Sequence, residues 1–117
     1  MKPSELFAYV KEAYGTEPER MWAKWPNYAV LRNDANRRWY GVVMDVPPDR
    51  LGLEGTEPVF ILNVKVDPDD ALVLRMSSDI MPAYHMNKKN WVSVRLDGEL
   101  PDAMIEDLID MSRRLTS

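Results

Sequence analysis

Lys88 and Lys89, flanked by Asn87 and Asn90, form the densest basic and polar cluster in the chain. Two ammonium groups beside two amides can hold phosphate oxygens and present donors to base edges. Arg37 and Arg38 form a second basic pair. Each cluster taken alone reads equally well as a solvated loop tip. Together they would make a local positive strip, provided the fold sets them on one face. His85 is the only histidine, and there is no cysteine. One imidazole without thiolates cannot build a usual zinc site. Disulfides, thiolate nucleophiles and iron–sulfur clusters are excluded as well. Ser77, Ser93 and Ser112 could be paired with His85, yet none lies in a nucleophile motif. The expected role of His85 is therefore a hydrogen bond that fixes its loop.

Tyr84 and Trp91 bracket that loop, while Trp22, Trp25, Trp39 and Tyr40 fall in segments that read as strands. Exposed rings beside basic residues stack unpaired bases. Rings on a sheet more often serve as packing. Lys65 closes a mostly apolar segment, either as an anion contact or with its stem packed and its amine in water. The five glycines are scattered, so there is no phosphate-cradling loop. No carboxylate pair can be set across a cleft from spacing alone. These observations give no reason to expect an enzyme, a cofactor or a metal.

The elements that must position these residues follow from composition and pattern. A chain of 117 residues is one domain's worth, residues 1–117 as a single unit. Hydrophobic residues at 45% and charged residues at 29% match globular proteins rather than disordered ones. The net charge of −4 and pI of about 5.0 argue against a whole-molecule grip on nucleic acid or anionic lipid. No apolar run reaches the roughly 18 residues of a membrane span. The first residues lack the basic-then-apolar pattern of a secretory signal. The expectation is a cytoplasmic protein with no membrane partner.

Leu6, Phe7, Val10, Ala13 and Tyr14 recur at helical spacing between Ser4, read as the N-cap, and Gly15. Residues 20–25, 28–32, 39–46, 59–66 and 91–96 read as strands. Residues 28–32 and 39–46 form a hairpin whose tip, 33–38, carries the arginine pair. Residues 47–58 form a long loop, and residues 79–90 are irregular. Asp67-Pro68 opens a helix that runs to about Met76. A final helix follows Pro101, with Met104, Ile105, Leu108, Ile109, Ser112 and Leu115 on one stripe. The fold class expected is α+β: a two-layer sandwich of about five antiparallel strands, with the N- and C-terminal helices on one face.

Tyr84-His85-Met86-Asn87-Lys88, followed by Trp91, resembles the signature of the MmcQ/YjbR-like family. Arg38-Trp39-Tyr40, Leu51-Gly52-Leu53, Ile61-Leu62-Asn63-Val64-Lys65 with Asp67-Pro68, and Leu96-Asp97-Gly98 with Pro101-Asp102 are similar in order and spacing, as is Leu108-Ile109-Asp110-Met111-Ser112. The resemblance covers nearly the whole chain. It implies a frataxin-like (CyaY-like) fold and a DNA-binding role in a double-wing arrangement. On this reading Arg37, Arg38, Asn87, Lys88 and Lys89 form a weak, salt-sensitive DNA contact. The alternative is a module for an unknown protein or a small ligand, using Lys65, Tyr84, His85 and Trp91. The frataxin-like resemblance also raises a lesser alternative, iron held along Glu5, Glu12, Glu17 and Glu19.

Overall fold

The computed structural model describes residues 1–117. Helix α1 spans Pro3–Tyr14, and α3 spans Asp102–Leu115. Strands β1 (Ala29–Arg32), β2 (Trp39–Val46), β3 (Val59–Lys65), β4 (Ile80–Pro82) and β5 (Trp91–Arg95) make one antiparallel sheet. Its strand order is β1-β2-β3-β5-β4. A short helix α2, Pro68–Leu74, connects β3 to β4. The α+β architecture and the shared face of the terminal helices agree with the sequence reading.

The helices cover one face because both carry an apolar stripe. Leu6 and Val10 of α1 and Ile105, Leu108 and Ile109 of α3 pack on Leu31, Tyr40, Leu62, Val64, Val92 and Val94. A polar clasp joins the two helices above this layer. The hydroxyls of Tyr9 and Tyr14 both donate to Asp110, the former at 2.7 Å. Burial and the Asp110 carboxylate push the Tyr14 hydroxyl up to about 12, and the same causes raise Tyr9 further.

Three local expectations need correction. Ser4 is not the N-cap of α1; Lys2 holds that position, and its N–H donates to the Glu5 side chain at 2.7 Å. Gly15 does close the helix, with φ of 68° in the left-handed region. Residues 20–25 form turns rather than a strand. The chain makes a single bridge between Glu19 and Val30 and then leaves the sheet edge. Trp22, Trp25 and Tyr28 recur every third residue, and the Trp25 and Tyr28 amides donate to carbonyls three residues back. That spacing suits consecutive turns, not the two-residue period of a strand. The fifth strand is instead β4, within the segment read as irregular. It lies at the sheet edge, where Pro82 is tolerated.

A bulge in the first hairpin decides which rings face which way. Leu31 pairs with Gly41 and Arg32 with Trp39, so Tyr40 is the extra residue. Tyr40 and Val43 therefore point to the helices, while Trp39, Val42 and Met44 point to the opposite face. Gly41 leaves room here for Leu31. A Cβ there would lie 2.8 Å from Leu31 Cδ1.

Candidate functional site

The face of the sheet away from the helices is also apolar. Val42, Met44, Val46, Val59 and Ile61 form a second buried cluster there. No α-helix covers it. Three segments do: the turns of residues 20–28, the loop after β2 with its 3-10 turn at Pro48–Leu51, and the loop between β4 and β5. They leave a pocket of about 260 Å³ with Val42 and Met44 as its floor.

One wall is aromatic. Trp25 stacks on Tyr28, ring centres 5.8 Å apart and planes within 16°. Trp22 meets Tyr28 and Trp39 edge-on at 5.9 and 6.0 Å. Such pairs hold one another in place beyond their burial. The facing wall is Tyr84, His85 and Met86, with the Tyr84 and His85 rings 4.0 Å apart. Arg50 stands at the rim, its guanidinium 3.5 Å from the Tyr84 hydroxyl. That hydroxyl raises the Arg50 pKa from its ordinary value. Burial, followed by the charges of Tyr84 and Asp45, raises Tyr28. No carboxylate lines the pocket.

The Tyr84 wall is set from below. Asn63 on β3 and Ser93 on β5 face each other in register, both fully buried. The Ser93 hydroxyl donates to Asn63 Oδ1 and accepts from the Tyr84 N–H at 2.9 Å. Asn63 Nδ2 donates to the Tyr84 carbonyl at 2.9 Å. With Tyr84 held at both ends of its backbone, His85 adopts φ of 58°, the left-handed region. Such a conformation costs a non-glycine residue on the order of 1–3 kcal/mol and collects at functional sites. The expected anchoring role of His85 is thus filled by Asn63 and Ser93. The His85 ring is exposed and makes no hydrogen bond.

The sequence-derived residues divide among several places. Tyr84 and His85 line the pocket, but Trp91 does not; it sits at the start of β5, paired in register with Lys65. The Lys65 N–H donates to the Ser112 hydroxyl at 2.8 Å, and its side chain is half-buried. Arg37 is ion-paired to Glu19 at 2.9 Å, whereas Arg38 is exposed and unpaired. Lys88 and Lys89 are exposed, and the Asn87 side chain accepts from the Lys89 N–H at 2.8 Å. The β1–β2 tip and the β4–β5 loop lie at the same end of the sheet. Three strand spacings separate them, about 14 Å. Of the acids considered for iron, Glu5 caps α1, Glu17 pairs with Lys11 and Glu19 pairs with Arg32 and Arg37. No three metal-ligating side chains converge anywhere. No helix is long and apolar enough to cross a membrane.

A second cleft of about 240 Å³ adjoins the pocket and shares Arg50 and Tyr84 with it. Lys88 lines this cleft, and again no carboxylate does.

Comparison with known proteins places these features in a wider set. Residues 11–115 match the YjbR family model. The Bacillus subtilis protein YyaQ, described as uncharacterized, is 45% identical over 96% of this chain and 95% of its own length. The Escherichia coli K12 protein YjbR, also described as uncharacterized, is 44% identical over 44% of each chain. A Pseudomonas syringae crystal structure superposes with a TM-score of 0.97 at 38% identity, covering all of both chains. A Deinococcus radiodurans structure of the DUF419 domain type gives a TM-score of 0.72 at 28% identity, over 96% of this chain and 75% of that one.

Proposed function

This chain belongs to the YjbR family, and from there we propose that it is a binding module whose ligand is a small molecule with a flat apolar body, seated on the outer face of the sheet. The observation that carries this reading is the ring-walled pocket over Val42 and Met44. Its volume of about 260 Å³ lies just below the 300–1,000 Å³ or so typical of small-molecule sites, which suits a compact ligand. His85 touches neither a hydroxyl nor a carboxylate that would activate a nucleophile, which favours binding over catalysis. Val42→Phe tests the reading by filling the floor while keeping a strand former. Val42 is buried, so the larger ring costs about 1–3 kcal/mol, and the variant, folded by circular dichroism, should lose tryptophan quenching by 2-naphthamide. Unchanged quenching would place the ligand elsewhere.

A second reading, weak binding of duplex DNA, is favoured by the common end of the two basic tips. Arg37 contributes less to it than the sequence suggests, because Glu19 already neutralises it. If about four phosphates are contacted, the log–log salt slope of affinity is near −3.6, and replacing Lys88 and Lys89 by alanine removes up to about 1.8 of it. Fluorescence anisotropy across a salt series measures this. No binding at low salt, or a slope indifferent to those lysines, retires the DNA reading.

A further inference from the structure

We propose that the ligand of this pocket is a planar aromatic oxyanion, its ring between the aromatic walls and its acid group on Arg50 in the adjoining cleft. This rests on the small-ligand reading of the pocket and adds the ligand's charge and orientation.

The floor is two apolar side chains, Val42 and Met44, and the walls are mostly rings. A volume of about 260 Å³ equals the liquid volume of roughly nine waters, enough for a single fused bicyclic ring. A body of that kind covers the exposed faces of Trp25 and Tyr84 without needing polar partners.

Charge settles the other end. Neither the pocket nor the adjoining cleft has an acidic side chain in its lining. Arg50 belongs to both, and Lys88 lines the second. Arg50 makes no salt bridge; its one side-chain hydrogen bond is to the Tyr84 hydroxyl at 3.5 Å, the long limit of such a bond. A planar guanidinium left in that state is suited to a bidentate oxyanion. Asp49, next in sequence, and Asp45, whose charge reaches Tyr28, line neither cavity. Lys24 lies over the outer Trp25 ring, 5.3 Å from its centre, adding positive charge to the rim. An aromatic box alone would also suit an organic cation. Arg50 in the pocket lining, with Lys88 in the adjoining cleft, disfavours one.

Four probes with a common naphthyl ring and different head groups test the proposal: 2-naphthoate, 2-naphthyl phosphate, 2-naphthamide and 2-naphthylmethylammonium. Each is titrated into the wild-type protein and into Arg50→Gln and Lys88→Gln, with tryptophan fluorescence as readout. Arg50 and Lys88 are exposed, so the variants should melt as wild type does. At least one oxyanion should bind about tenfold or more tighter than the amide, and Arg50→Gln should erase that preference. Lys88→Gln should reduce it by a smaller factor. Whether carboxylate or phosphate wins identifies the oxyanion. Equal binding of all four probes, or a preference for the ammonium, overturns the charge assignment while leaving the pocket as a ligand site. No binding of any probe removes the pocket reading and this inference with it.

Discussion

Asn63 and Ser93 sit opposite each other on β3 and β5, and between them they satisfy both backbone groups of Tyr84. Both side chains are fully buried, and their bonds to Tyr84 fix one wall of the pocket. Buried polar groups are costly when a partner is removed. Asn63→Leu should therefore destabilise the protein by about 1–3 kcal/mol in denaturant unfolding. Amide exchange at Tyr84 should rise with it. Exchange at Tyr84 as slow as in the wild type would mean the loop is held by something else.

The clasp between α1 and α3 gives a pH dependence. Tyr9 and Tyr14 share Asp110, and both hydroxyls stay protonated in the folded protein at pH values where an unfolded tyrosine has ionised. Their contribution is fully present below the ordinary value of 10.0 and is lost as pH rises towards about 12. Melting temperature should fall across that window. The fall should be shallower in Tyr9→Phe/Tyr14→Phe, which has no phenolates to form there. An equally steep fall in the double variant would show that other groups cause it.

The stripe of α3 offers a graded test. Ile109 is fully buried and Leu108 is 5% exposed, whereas Met104 is 36% exposed. Alanine at Leu108 or Ile109 should cost about 2–5 kcal/mol. Alanine at Met104 should cost about 0.5 kcal/mol or less. Equal losses at all three positions in urea unfolding would contradict the observed facing of the helix.

Gly41 tests the bulge. The Cβ of Gly41→Ala would press into Leu31 at 2.8 Å in a fully buried layer. A loss of about 1–3 kcal/mol is expected. Adding Leu31→Val should relieve the contact, so the double variant should lose less than the sum of the two singles. Strict additivity would place the strain elsewhere.

Much of the fold is legible in the sequence because its signals are local. The α3 stripe, the αL glycine at position 15 and the Asp67-Pro68 helix start each act within a turn or two. The last two appear as read, while the stripe is buried at Ile105, Leu108, Ile109 and Ser112 and exposed at its ends, Met104 and Leu115. The number of strands also comes out at five, but through two compensating differences. Residues 20–25 look like a strand by composition, and their aromatic spacing of three matters only once turns are considered. Strand β4 is three residues long and contains Pro82, so composition hides it. The site is harder to read because it draws on four separate segments, and Arg50 lies in a short 3-10 turn that no motif announces. One signal was available. Strand β2 reads Trp39-Tyr40-Gly41-Val42-Val43-Met44, apolar on both faces, so the face turned from the helices also required a cover.

The four indole N–H groups give the most direct test of the outer-face pocket. Trp22, Trp25 and Trp39 line it, while Trp91 lies outside. In nitrogen-15 NMR spectra, titration with 2-naphthoate or 2-naphthamide should shift the three pocket indoles and the amides of Tyr84 to Met86. The Trp91 indole and the Arg38 and Lys89 amides should stay in place. Shifts confined to Trp91, Arg38 and Lys89, with the three pocket indoles unmoved, would contradict the account.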